Sequence, residues 1–305
     1  MTREINLELH GQDLRASCLA DHIELQAING NAFTEAELAD YIEDSSWTRL
    51  LEPKYVGDGY EHALTGERQD RSREAAKRVT EILDRRKALL DAKYPFIKNR
   101  GRLEAIADTG EVYLWFLFVS LCHGFNIKDI PTPASQFEIA VSNGLNNTGL
   151  SAITVGTAGM GNNFDLRVSQ ITQEFPHLVP TLDEAVRARS LNDGGIDTFA
   201  TLRCAKDTRH GHWAFIGQST VAKSDDWKRK IHEPLPGFWS KVFGERIKPI
   251  PFFATPHHIP DDYLHSLFQN HGHCLLDRVR LTLWTSDTPD SFAAYKSALN
   301  GIILQ

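Results

Sequence analysis

Along the first 126 residues, hydrophobic positions recur with helical rather than strand spacing. Between residues 72 and 93, Ala76, Val79, Ile82, Leu83, Leu89 and Leu90 fall near a 3.6-residue period, which predicts a long helix ended by Pro95. Thr34-Glu35-Ala36-Glu37 has the form of a capping box and opens a shorter helix to about Ile42. Residues 112–121 are apolar on every side, so that helix is expected in the middle of its half of the chain. Residues 5–9 and 23–27 are the two stretches that could instead form a short strand.

Pro131-Thr132-Pro133 marks a junction, beyond which strands and turns alternate with helices. The pattern predicts a helix over 135–144, a strand over 152–156 and helices over 164–175 and 182–189. Strands over 196–203 and 212–222, a helix from Ser224 to Ile231, a further turn over 238–243 and a strand over 250–254 follow. The expected fold class is therefore mixed α and β, α+β or α/β. It comprises a helical region over 1–130, a β-containing core over 131–258 with an insertion at about 157–190, and an extension over 259–305.

Charge adds one local feature. The chain of 305 residues carries a formal net charge of −7, yet residues 68–102 hold 12 Lys and Arg against five acids. A basic helix on an acidic body is either a solvated face or a phosphate-facing surface, and Arg78, Arg85, Arg86 and Lys87 are its nucleic-acid candidates. No apolar run reaches the roughly 20 residues needed to span a bilayer, and the first residues carry charge without an apolar signal core, so a cytoplasmic location is expected. Four scattered cysteines without a CxxC pair suit reduced thiols.

The hairpin over residues 194–230 carries the most chemistry. A loop centred between Asp207 and Thr208 makes opposed residue numbers sum to 415, which sets Asp197 against Gln218 on one face, with Thr220 two residues on. Phe199 and Ile216 share that face, while Ile196, Ala200, Leu202, Trp213 and Phe215 are expected on the other. An acid buried in such a sheet needs a cation or donors beside it.

Phe137-Glu138 on a helix, then Gly194-Gly195-Ile196-Asp197 at a strand start, then a strand ending Gly217-Gln218-Ser219-Thr220, together resemble the PD-(D/E)XK nuclease superfamily. The similarity is greatest to the branch of the Mrr-type restriction enzymes, in which Gln replaces the second acid. It covers about 120 residues and implies a restriction-endonuclease-like αβββαβ core. It implies that Asp197, Gln218 and Glu138 hold Mg²⁺, for which Mn²⁺ substitutes, and that the reaction is phosphodiester hydrolysis in DNA. A role in prokaryotic defence, beside an ATPase or a second subunit, and oligomer formation are implied by the same analogy. The family's lysine position is Thr220 here, so the lysine function falls to Lys228, with Lys223 as runner-up and Lys230 close behind as a further basic contact. A catalytically degenerate fold that only binds DNA or assembles with a partner is the alternative.

Each of these residues has a plainer reading. Glu138 completes a second capping-box pattern with Ser135, Asp197 could be a turn acid, Gln218 could satisfy a neighbouring strand, and Asp193 is a turn former or a second acid. Gly156-Thr157-Ala158-Gly159-Met160-Gly161 could cradle a phosphate but lacks GK[ST]. His257, His258, His265, His271, His273 and Cys274 are possible zinc ligands without the spacing of a standard finger. Ser219 lacks the G-x-S-x-G elbow of a nucleophilic serine.

Overall fold

The computed structural model describes residues 2–3, 7, 10–45, 47–48, 50–51, 68–156, 163–181, 194–202 and 211–304. Helix 182–189, the glycine-rich loop after Gly156, Asp193, most of the 5–9 stretch and the hairpin loop at 207–208 lie outside these residues. After the two-residue strand β1 (Thr2–Arg3), the N-terminal half runs through α1 (Gln12–Ile28), α2 (Glu35–Asp44), α3 (Arg68–Leu90), the hairpin β2 (Phe96–Asn99) and β3 (Arg102–Ala105), and α4 (Glu111–Gly124). The capping box forms as expected: Thr34 Oγ1 accepts from Glu37 N at 3.2 Å, and Glu37 Oε2 accepts from Thr34 N at 2.8 Å. Residues 23–27 belong to α1, not to a strand. Burying Ser17, Asp21 and Glu24 on one helical stripe decides this, because the same side chains in a strand would alternate between faces.

The second half begins with α5 (Pro133–Asn147) and β4 (Ser151–Thr154), followed by α6 (Phe164–Glu174), β5 (Thr198–Leu202) and β6 (Trp213–Ser219). Then come a 3₁₀ turn at Ser224–Asp226, α7 (Trp227–Lys230), α8 (Pro236–Val242) and β7 (Ile250–Ala254). The chain closes with α9 (Asp261–His271), β8 (Cys274–Leu276), α10 (Arg278–Trp284), α11 (Phe292–Leu299) and β9 (Ile303–Leu304), which pairs in parallel with β1. The main sheet has the order β4-β5-β6-β7-β8, antiparallel up to β6 and parallel from β6 to β8. Residues 275–281, which alternate like a strand, split instead into β8 and α10, with Asp277 Oδ1 capping the helix by accepting from Arg280 N.

One apolar core runs from Leu14 and Ile23 in α1 through all of α4 to Phe253, Leu275 and Tyr295, so the expected boundary near residue 130 does not divide it. A second cluster, including Phe164, Ile171, Phe199, Ile216, Trp239 and Phe243, packs α6 and α8 on the other face of the sheet. Ile196 joins Phe199 in that cluster because β5 begins only at Thr198, and Trp213 is 59% exposed instead of covered. Within the first core, Arg86 of α3 and Arg278 of α10 meet Asp21 and Glu24 of α1, with Arg278 bidentate on Asp21 at 2.7 and 2.6 Å and Arg86 at 2.7 Å from Asp21 and 2.8 Å from Glu24. The hydroxyls of Tyr94 and Tyr113 complete the shell by donating to Glu24 Oε1 at 2.7 and 2.8 Å. No helix among the described residues is long and apolar enough to cross a membrane.

Candidate metal and phosphate site

The hairpin pairs in the expected register, Thr198 with Gly217 through Leu202 with Trp213, so Asp197 and Gln218 are the next residues outward. The backbone of Asp197 ties three strand ends together. Its carbonyl accepts from Val155 N at 2.8 Å and Gly156 N at 3.0 Å, and its N–H donates to Gly217 O at 2.8 Å. Its Oδ2 accepts from Ser219 N at 2.8 Å. Before it, Gly194 and Gly195 have φ of 65° and 69°, and a Cβ on Gly195 would stand 2.3 Å from the carbonyl oxygen of Glu233. The two glycines are therefore required both by the turn and by the approach of residues 233–239. Arg167, fully buried, steadies the preceding residue by donating from Nη1 to Ile196 O at 2.8 Å.

Glu138 is not a helix cap. The helix starts at Pro133 with Thr132 as N-cap, which leaves Glu138 in the second turn and buried. Its carboxylate meets that of Asp197 at Gly156: a Cβ there would lie 2.5 Å from Glu138 Oε2 and 2.8 Å from Asp197 Oδ1. The absence of a side chain at this strand end lets two carboxylates converge. Gln218 is 5% exposed, and among the described residues neither its Oε1 nor Ser219 Oγ has a hydrogen-bond partner. A buried acceptor without a donor is costly in a folded protein, and a cation is one way to satisfy it. Among the described residues no three His, Cys, Asp or Glu side chains are arranged to hold an ion. The donors here are instead two carboxylates and one amide oxygen, the hard-oxygen chemistry that fits Mg²⁺ with several waters retained.

These residues lie in a cleft of about 810 Å³ that is also lined by His123, Ala134, Gly194, Gly195, residues 219–222, Arg229, Lys230, His232, Glu233, Leu235 and Phe238. Lys230 is the lysine that lines it. Lys228 and Lys223 are exposed and do not, and Lys228 lies instead near His271, whose pKa its charge helps to lower. Trp227, fully buried, fixes this arrangement, because anchoring one face of a single helical turn sends adjacent residues in different directions. Thr220 Oγ1 accepts from Ala222 N at 3.1 Å, so its hydroxyl shapes the turn after β6.

Of the four candidates on the basic helix, Arg86 lies in the interior and the other three bond within the protein. Arg86 is fully buried between Asp21 and Glu24 and cannot meet a nucleic acid. Arg78 donates to the carbonyl of Leu51, Lys87 donates to Asp91 O at 3.0 Å, and exposed Arg85 pairs with Asp261 at 2.7 Å. The cleft's own basic wall is Arg229, paired with Glu233, together with Lys230 and His232. His123, at the end of α4, faces it with a pKa lowered by burial. Its place in the cleft was invisible in the sequence, where it only bounds an apolar run.

The histidine-rich C-terminal segment splits up. His258 packs against Asp277 at 3.3 Å, His257 turns inward, and His271 and His273 contact His232 with ring centroids 4.8 and 6.5 Å apart. Comparison with protein-family models, with curated proteins and with solved structures finds no match for this chain.

Proposed function

We propose that the protein is a Mg²⁺-dependent nuclease of the PD-(D/E)XK type that hydrolyses phosphodiester bonds in DNA. The observation that carries this reading is the convergence of Glu138 and Asp197 on Gly156 beside Gln218 Oε1, which has no hydrogen-bond partner among the described residues, on an element order of helix, three-stranded meander, helix and parallel strand. Asp197, Gln218 and Glu138 would hold the ion, which supplies polarisation of the scissile phosphate and a lowered pKa for the attacking water. Asp197 keeps one oxygen on Ser219 N, so its carboxylate is oriented before any ligand arrives. Lys230, the lysine that lines the cleft, would neutralise the phosphate, the role that the resemblance assigns to Lys228 or Lys223.

The test is plasmid cleavage with Mn²⁺ or Mg²⁺ by wild type, Asp197→Ala, Glu138→Ala, Lys230→Ala and Lys228→Ala. Activity lost in the first three variants and retained in Lys228→Ala supports the reading. Equal inactivity of all five proteins on every DNA form would overturn it. The turn-forming hydroxyl of Thr220 favours a second reading, a nuclease fold that has lost catalysis and binds DNA or a partner subunit, as in defence assemblies. Mn²⁺-dependent thermal stabilisation that disappears in Asp197→Ala separates the two, since a ligand that binds only the folded state raises the melting temperature.

A further inference from the structure

We infer that the substrate enters the cleft as an unpaired strand, with a base against the cleft's apolar side. This rests on the nuclease reading for the acid floor and adds the form of the nucleic acid. The cleft is not lined by charge alone. Leu235, 55% exposed, and half-buried Phe238 line it together with the imidazoles of His232 and His123, next to Arg229 and Lys230.

A duplex offers a protein its phosphates, sugars and polar base edges, while stacking hides the faces of its bases. Leu235 and the ring of Phe238 would lose water to such a ligand and gain no apolar partner. An unpaired base presents a flat π-face to any ring or aliphatic side chain, and each base stacked on an aromatic residue contributes about tenfold or more in affinity. The cleft volume of about 810 Å³ lies in the range of pockets that enclose a ligand of nucleotide size. Lys230 and Arg229 line the same cleft, where they can meet the phosphates of a strand whose base it holds. The basic candidates of α3 have no part in this cleft: Arg86 is fully buried, and none of Arg78, Arg85 and Lys87 lines it.

The experiment is fluorescence anisotropy of the full-length chain at one fixed salt concentration, with a labelled single-stranded DNA oligonucleotide and with the same sequence folded as a hairpin duplex. Each is measured in EDTA, and cleavage of each is followed separately with Mn²⁺. Wild type is compared with Phe238→Ala and with Leu235→Ser; the second is an exposed position whose change leaves the core intact, and melting temperatures verify both. The expected result is single-strand binding at least about tenfold tighter than duplex binding, weakened about tenfold in both variants while duplex binding stays the same. Equal or tighter duplex binding, or variants with native melting temperature that bind the single strand as wild type does, would overturn the inference. Duplex-only cleavage dependent on Asp197 would overturn it and leave the nuclease reading standing. Single-strand preference with no cleavage of either substrate would overturn the nuclease reading and leave the cleft a single-strand-binding site.

Discussion

Acidification should unfold this protein through three histidines. His10, His22 and His257 line one small cavity of about 70 Å³ with Cys18, Asp21 and Ser120, behind the wall of the cleft. The rings of His10 and His257 are 5.3 Å apart, and among the described residues the Nδ1 atoms of all three have no hydrogen-bond partner. Burial pulls His10 and His22 down to about 4 and His257 to about 3. The carboxylate of Asp21 opposes this at all three, but Asp21 is already held by Arg86 and Arg278.

The folded state therefore keeps the three imidazoles neutral at a pH where the unfolded chain, with a histidine pKa near 6.5, has protonated them. Because the folded pKa values are depressed, the stability involved is fully present above pH 6.5 and lost as the pH falls toward 4. At about 1.4 kcal/mol per pH unit per proton, each histidine loses about 2 kcal/mol between pH 6.5 and pH 5, and the three together about 6 kcal/mol. Water entering a half-open cavity lowers that figure, so a loss of about 3–6 kcal/mol is expected, a large part of the roughly 5–15 kcal/mol of a typical fold. Paired carboxylates such as Asp277 titrate lower still, so they do not contribute above pH 5. The assay is urea unfolding at pH 7.5, 6.5, 5.5 and 5.0 of wild type, His22→Gln and His257→Gln. Each substitution should flatten the curve by about 1–2 kcal/mol over this range, the remaining slope coming from the other two histidines and from His123, His258, His271 and His273, which are lowered as well. Stability constant within about 1 kcal/mol from pH 7.5 to 5.0, or variants with the wild-type slope, would refute the reasoning.

Three further outcomes are expected. Gly156→Ala puts a methyl 2.5 Å from Glu138 Oε2 and 2.8 Å from Asp197 Oδ1, so it should cut Mn²⁺-dependent cleavage at least tenfold while costing the fold under about 1.5 kcal/mol, checked by plasmid cleavage and thermal melting. Gly217→Ala drives a Cβ to 1.9 Å from the ring of Phe252 across the sheet and should destabilise by about 3 kcal/mol or more in urea unfolding, since overpacking of that size cannot relax inside β6. Arg278→Met removes the bidentate partner of Asp21 and leaves a buried negative charge in excess, with an expected loss of about 3–5 kcal/mol; a change below 1 kcal/mol would show that Arg86 alone satisfies both acids.

Local chemistry made much of this structure legible in the sequence. The capping box at Thr34, the all-apolar α4 and the 415 register of β5 with β6 each depend on residues close in sequence or on a hairpin's two-residue periodicity. The β2–β3 hairpin was missed, although its turn has a local signature: Arg100 and Gly101 take φ of 48° and 81° after Asn99, a short two-residue connection. What could not be read was long-range. Arg86 looks like any other residue of a basic helix until Asp21 and Glu24, more than 60 positions away, are known to lie beneath it.

The same distinction governs the site. Asp197 and Gln218 could be set side by side from the hairpin alone, but whether Glu138 joins them depends on where a helix begins. The sequence offered Ser135 as its cap, whereas the helix starts at Pro133 and releases Glu138 from that duty. Gly156 then acts through the side chain it lacks, which leaves room for both carboxylates. Lys230, and not Lys228, reaches the cleft for a comparable reason: with Trp227 buried as the anchor of one helical turn, the side chain one residue on turns outward and the one three residues on turns in. Which lysine of this turn enters the cleft can thus be read only once the anchoring side chain is known, and comparing Lys230→Ala with Lys228→Ala tests that geometric rule as directly as it tests the proposed chemistry.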